Sequence, residues 1–311
     1  MNKRPVPFVI LLLLIWMTSA CGSEPAKDGN GSPADGKKAG TITYQSEKGP
    51  IEVPADPKRV VLLSSNFAGN LLALNIPLVG IDKWAMDNPR FQDKLKGIQV
   101  VSDESIEKII ELNPDLIIAL STIKNVDKLG KIAPTVTFTY GKLDYMSLHL
   151  EIGKLVNKEK ETQAWIDDFK KRAQAAGDEI RAKIGANSTV TIMENFDKQL
   201  YVFGSNWGRG GEILYQEMKL GMPDKIKETA LKPGFFALSA EALPEFVGDY
   251  LVFSKYADDP GLSFIQTDTY KNIPAVKNNR VFEVNAKEFY FNDPLTLENQ
   301  LEFFKKSFLG K

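Results

Sequence analysis

From Asn157 to Gly185 the apolar residues Trp165, Phe169, Ala173, Ala176, Ile180 and Ile184 return in steps of four or three. Such steps place one stripe along a helix, and the charged residues between them, from Asp167 and Asp168 to Arg181 and Lys183, leave its other faces wet. Asn157 is expected to cap the start, and Gly185 to supply the left-handed residue that ends the helix. At 1.5 Å per residue the segment reaches roughly 40 Å, about the width of a small domain. A rod of that length between two strand-rich halves reads as a strut joining two lobes, although the pattern by itself also describes a surface helix of a single domain.

The 311 residues allow one large domain or two lobes of ordinary size. A net charge of −1 with the signs interspersed gives no basic stripe, which argues against nucleic-acid binding. Cys21 is the sole cysteine and His149 the sole histidine. No disulfide can form within the chain, and no zinc, copper or haem site of the usual His/Cys kind can be assembled. Triad catalysis would depend on a single imidazole.

Lys3 and Arg4 precede an apolar run from Val6 to Met17, and Thr18, Ser19 and Ala20 lead into Cys21. Residues 1–20 therefore read as a secretory signal, too short in its apolar core to span a bilayer comfortably. A lone cysteine directly after the cleavage site resembles the lipobox of bacterial lipoproteins, in which the thiol is diacylated; Thr18 departs from that pattern, where leucine is usual. The alternative is a buried cysteine in an uncleaved anchor. Two acyl chains, at ~0.8 kcal/mol per buried methylene, hold a protein to a membrane stably. Residues 21–40 carry no large apolar side chain and are expected to form a disordered tether with a mean span of ~25 Å.

The folded part opens with alternating runs Thr41–Gln45 and Ile51–Val53 around Glu47-Lys48-Gly49-Pro50, a hairpin. Arg59–Leu63, Leu78–Ile81, Gln99–Val101, Asp115–Leu120 and Thr135–Thr139 read as strands alternating with short helices, hence parallel βαβ units in a three-layer lobe. That lobe spans 41–156, the connecting helix 157–186, and a second lobe 187–311. In the second lobe the same alternation resumes with Thr189–Met193, Leu200–Phe203, Asp249–Ser254 and Arg280–Val284. A closing helix runs over Pro294–Phe308. One internal correspondence links the halves: Ser105, Glu107 and Asp115 match Ser239, Glu241 and Asp249 in spacing, each ahead of an apolar strand. Each serine is expected to cap a helix carrying its glutamate in the first turn, where the helix dipole favours it.

Chemistry concentrates in Tyr201-Val202-Phe203-Gly204-Ser205-Asn206-Trp207-Gly208-Arg209-Gly210-Gly211, a strand end, a Gly-rich loop and a helix start. In a parallel lobe this loop opens at the carboxyl edge of the sheet, where ligands sit. It is neither a Walker A nor a G-x-S-x-G motif. Trp207 and Arg209, between glycines, are expected to lean into open space. Phe289-Tyr290-Phe291, Phe67, Trp84 and Met86 supply further apolar surface, with core packing the competing role for each aromatic. A cleft of this kind suits a bulky solute with an apolar periphery and clustered oxygens, to which Arg209 can donate.

Pro57-Lys58-Arg59-Val60-Val61, Asn113-Pro114-Asp115-Leu116-Ile117-Ile118 and Lys131-Ile132-Ala133-Pro134-Thr135 resemble the siderophore-, haem- and cobalamin-binding fold. With Asn292-Asp293-Pro294 as a further shared feature, Trp207-Gly208-Arg209-Gly210-Gly211, preceded by Asn206, narrows the similarity to the iron(III)-hydroxamate siderophore-binding lipoproteins of Gram-positive bacteria, from about Thr41 to Phe308. The resemblance implies an α/β fold of two three-layer (αβα) lobes joined by one long α-helix, the class III periplasmic-binding-protein architecture. It implies a monomer lipid-anchored through Cys21 at the extracellular face of the cell membrane, serving an ABC permease. The ligand is a ferric hydroxamate between the lobes. Arg209 bonds the hydroxamate oxygens, and Trp207, Tyr201 and Tyr290 line the pocket, with Phe289, Phe67, Trp84 and Met86 as further candidates. Glu107 and Glu241 dock the permease. No cofactor or metal ligand of the protein's own is implied, since iron stays in its chelator. Arg209 is the one well-placed cation, which favours hydroxamates over highly charged catecholates. A same-fold binder of catecholates or cobalamin is the alternative; a tethered hydrolase or reductase lacks a nucleophile–base pair or a redox site. On this reading Arg209→Ala or Trp207→Ala weakens binding and leaves the apo thermal midpoint in place.

Overall fold

The computed structural model describes residues 40–256 and 261–310. The expected signal peptide, the lipidated Cys21 and most of the tether lie outside these residues.

Strands β1 (Thr41–Ser46) and β2 (Gly49–Pro54) form the expected antiparallel hairpin, with Ser46 opposite Gly49 at its tip. The next five strands are β3 (Val60–Leu63), β4 (Leu78–Ile81), β5 (Gln99–Val100), β6 (Leu116–Leu120) and β7 (Thr135–Phe138). They form one parallel sheet in the order β5-β4-β3-β6-β7. Val60–Leu63 is buried throughout, as a central parallel strand covered on both faces requires. One core lies on each side of this sheet, around Leu62, Phe67 and Phe91 on one face and Val61, Ile109 and Ile117 on the other.

The second sheet departs from the expected parallel pattern. Its strands are β8 (Val190–Phe196), β9 (Gln199–Phe203), β10 (Phe235–Leu238), β11 (Tyr250–Lys255) and β12 (Val281–Asn285), in the order β10-β9-β8-β11-β12. β8, β11 and β12 are parallel, whereas β9 and β10 run antiparallel. The cause is local: β8 and β9 are joined by Asp197 and Lys198 alone, both at positive φ, 48° and 65°. A two-residue turn of that kind can join only antiparallel neighbours.

The connecting helix runs Glu159–Ile184 and buries Thr162, Ile166, Phe169, Ala173, Ala176, Gly177 and Ile180, close to the expected stripe. Gly185 ends it at φ 101°. Asn157 does not cap it. That residue sits at φ 57°, in the left-handed turn that closes the preceding helix Tyr145–Leu155, and Lys158 occupies the cap position without a side-chain bond. The rod packs against that helix and against the closing helix Pro294–Leu309. Gly177 is its point of closest approach, since a Cβ there would stand 2.3 Å from the Met218 carbonyl oxygen.

A second stitch joins the lobes. Phe289 packs in the second-lobe core against Phe303 and Phe304, and Phe291, two residues on, packs in the first-lobe core and stacks on Phe91. Arg90 and Glu288 form an ion pair at 2.7 Å beside it.

The internal correspondence is real at its aspartates. Asp115 accepts the N–H groups of Lys58 and Arg59 ahead of β3, and Asp249 accepts the N–H of Thr189 ahead of β8. It fails at the serines. Ser105 begins the helix Ile106–Glu111 without a side-chain cap bond, and its hydroxyl instead takes the Ser102 N–H. Glu241 stands in a turn before the short 3₁₀ segment Leu243–Glu245, not in the first turn of an α-helix.

Candidate functional site

Because β9 is antiparallel, the Gly-rich loop leaves the end of the sheet opposite to the one a parallel strand would have given it. It is held instead by backbone contact with the inter-lobe stitch. The Arg209 N–H donates to the Phe289 carbonyl at 2.8 Å, and a Cβ on Gly208 would lie 2.0 Å from the Tyr290 carbonyl oxygen. Gly208 (φ 71°) is therefore required both by its backbone angle and by this approach. The indole of Trp207 lies over Gly234, where a Cβ would stand 1.9 Å from the ring. Glycine at the mouth of β10 thus makes the slot that aims Trp207 at the first lobe.

Arg209 does not overhang the gap as expected. It is 7% exposed and lies in an ion pair with Glu194 of β8, itself 1% exposed, at 2.9 Å. Glu194 takes the Arg209 Nε–H and one Nη2–H, the Ser254 hydroxyl donates to the same carboxylate at 2.7 Å, and the Trp207 carbonyl takes an Nη1–H. The guanidinium is sandwiched between rings, 4.6 Å from the Phe203 centroid and 3.9 Å from that of Tyr290. Burial works against its charge, but attraction and hydrogen bonding from Glu194 outweigh that and raise its pKa above the ordinary value. The residue also holds a positive φ of 56°, a conformation that non-glycine residues keep only where the surroundings enforce it. Three of the five N–H bonds of a guanidinium are engaged here, and among the described residues no acceptor takes the other two.

Arg209 borders a cavity of about 180 Å³ lined also by Asn66, Tyr140, Trp207, Tyr290, Phe291 and Asn292. A larger cavity of about 480 Å³ adjoins it, sharing Asn66, Tyr140, Trp207 and Asn292 and adding Phe67, Asp144, Tyr145, Glu212 and Gln216. The dimensions suit a small-molecule chelate. Tyr140 of the first lobe and Trp207 of the second meet edge to face across the gap at 5.9 Å, and Trp84 meets Tyr290 likewise at 5.6 Å.

The floor carries acid. Glu212, in the wide π-helical turn Glu212–Glu217, accepts the Gly208 N–H at 3.0 Å and the Asn292 amide at 2.7 Å. Burial pushes its carboxyl above the usual range, and these donors pull the other way. Tyr145 donates to Glu217 at 2.5 Å, tying the first-lobe helix to that turn. Asp144 is exposed at the edge; burial opposes its charge, but the Ser147 hydroxyl and N–H and the Met146 N–H hold it below the usual carboxylate range.

Of the residues singled out in the sequence, Arg209, Trp207, Tyr290 and Phe67 come together at the cleft. Trp84, 43% exposed, covers Tyr290 from the side. Met86 packs against the first-lobe core, Phe289 points into the second, and Tyr201 is held one ring back, behind Phe235, which in turn touches Trp207 at 4.9 Å. Glu107 and Glu241 are exposed, one in each lobe. Glu241 is held below the usual carboxylate range by its own N–H and the Ser239 hydroxyl. Glu194, Glu212, Tyr140, Asn66 and Asn292 are site residues that the sequence reading missed. A glutamate inside the buried strand Val190–Phe196 was the available signal, because such a carboxylate demands a partner.

Comparison with known proteins places this geometry. The periplasmic binding protein family matches residues 60–288. The chain is 38% identical over 303 residues to the iron(3+)-hydroxamate-binding protein FhuD of Bacillus subtilis, covering 95% of each chain. It is 36% identical to the iron(3+)-hydroxamate-binding protein YxeB of the same organism, covering 97% of this chain and 95% of that one. Among solved structures it is similar to FhuD2 of Staphylococcus aureus with bound ferrioxamine B. That match has 33% identity and a TM-score of 0.77, and covers 82% of this chain and 99% of the other.

Proposed function

The chain belongs to the periplasmic binding protein family, and on that footing we propose that it captures ferric hydroxamate siderophores between its lobes and delivers them to an ABC permease. The observation that carries this reading is the Arg209 guanidinium, fixed by Glu194 with two N–H bonds left for oxygens, inside walls made by Trp207, Tyr290 and Tyr140. A ferric trihydroxamate presents that complement: clustered oxygens around a metal already fully coordinated, with an aliphatic periphery. The cleft has to supply hydrogen bonds and ring faces, and the chelator supplies the metal ligands.

In this account Arg209 donates to the hydroxamate oxygens, Trp207 and Tyr290 cover the flanks, and Tyr140 closes from the first lobe. Cys21 anchors the protein through lipid at the outer face of the membrane, and the protein works as a monomer. Glu107 and Glu241 engage the two halves of the permease; their exposure and their placement one per lobe support that role. Titration with ferrichrome or ferrioxamine B is expected to quench tryptophan fluorescence at submicromolar ligand, because Trp207 and Trp84 flank the proposed iron position. Absence of quenching by any ferric hydroxamate overturns the reading.

A further inference from the structure

Among the described residues Arg209 is the cation that lines the smaller cavity, yet its charge does not reach that cavity unopposed. Among the described residues the basic and carboxyl side chains lining these cavities are Arg209 in the smaller and Asp144 and Glu212 in the larger. Glu194 pairs with Arg209 at 2.9 Å, is 1% exposed, and lines neither cavity. Its position is fixed from a third side by the Ser254 hydroxyl at 2.7 Å. A ligand approaching Arg209 therefore meets directional donors on a pair that is neutral overall, with the carboxyls of Asp144 and Glu212 in the adjoining cavity. In a partly buried site such a background acts strongly on the charge of whatever is bound.

We propose that Glu194 is a positioning residue that sets charge selectivity: it lets Arg209 hydrogen-bond the oxygens of neutral or cationic ferric complexes while withholding the net positive charge that anionic complexes need. A ferric trihydroxamate core is neutral, three hydroxamate anions offsetting iron(III), and so matches the neutralised pair. A ferric tris-catecholate is trianionic and is disfavoured by the same arrangement. This inference rests on the ferric hydroxamate reading above and adds the residue that enforces the preference.

The test compares wild type, Glu194→Gln and Glu194→Asp by equilibrium titration with ferrioxamine B, ferrichrome and ferric enterobactin, which are cationic, neutral and trianionic. Each ligand is compared with itself across the proteins, so size and apolar surface cancel. Wild type is expected to bind ferrichrome and ferrioxamine B at least 100-fold more tightly than the tris-catecholate. In Glu194→Gln the affinity for the tris-catecholate is expected to rise relative to ferrichrome by roughly tenfold or more, and that for ferrioxamine B to fall relative to ferrichrome. Glu194→Asp, which keeps the charge, is expected to weaken all three while preserving the wild-type ranking. An equal shift for all ligands in Glu194→Gln, or no shift, overturns the proposal and leaves Glu194 a purely structural partner. If Glu194→Gln does not fold, Glu194→Asp decides: a changed ranking of the three ligands in this charge-preserving variant overturns the proposal. Failure of wild type to bind either hydroxamate would refute the functional reading instead, so the two outcomes are distinguishable.

Discussion

Arg209→Ala is expected to weaken ferric hydroxamate binding by orders of magnitude and also to lower the thermal midpoint of the ligand-free protein by on the order of 10 °C. The first effect follows from the two free N–H bonds: charge-assisted hydrogen bonds contribute about 1.5–3 kcal/mol each, so losing both weakens binding by roughly 10²- to 10⁴-fold. The second follows from Glu194. Removing the guanidinium leaves a carboxylate that is 1% exposed and keeps, among the described residues, the Ser254 hydroxyl as its side-chain donor, and stranding a buried charge in this way costs about 3–5 kcal/mol. A loop arginine leaning into solvent, as the sequence suggested, would have left stability untouched. Differential scanning calorimetry of Arg209→Ala, Glu194→Ala and the double variant separates the cases. The double variant is expected to recover much of the lost midpoint without recovering binding, because it removes both charges together. A midpoint for Arg209→Ala equal to that of wild type contradicts the buried pair.

Glu107→Ala combined with Glu241→Ala is expected to leave siderophore affinity unchanged and to stop uptake of radiolabelled iron complex in cells. Both side chains are exposed, one per lobe, and neither lines the cavities. Exposed charges of this kind steer and register a partner and add little to the fold. Uptake at the wild-type rate by the double variant removes the docking role.

The first lobe was legible because its strands are written as continuous apolar runs, such as Val60–Leu63 and Leu116–Leu120, and such runs between short helices admit little besides a parallel sheet. The second lobe hid its topology in two residues. Asp197 and Lys198 lack the glycine that usually announces a tight hairpin, so the reversal into β9 went unread. β10 was missed with it, since Phe235–Leu238 is mostly exposed and follows Lys232-Pro233-Gly234 without an alternating signal. The glycines of the Gly-rich loop point to the candidate site, but Gly208 marks close approach of the backbone to Tyr290, not freedom for Arg209. The fate of Arg209 depended on Glu194, on another strand and fifteen residues earlier, and local pattern carries no record of which buried carboxylate a cation will meet. In Phe289-Tyr290-Phe291 three aromatic neighbours go to three environments: the second core, the cleft and the first core. Only the crossing of the chain between lobes explains that division.

Crystals grown with ferrioxamine B, with diffraction collected at the iron absorption edge, test the central claim most directly. The account predicts one strong anomalous peak in the cleft, bounded by Trp207, Tyr290 and Tyr140, with a hydroxamate oxygen within hydrogen-bonding distance of Arg209. An iron peak elsewhere on the protein, or one in the cleft with no ligand oxygen near that guanidinium, contradicts it.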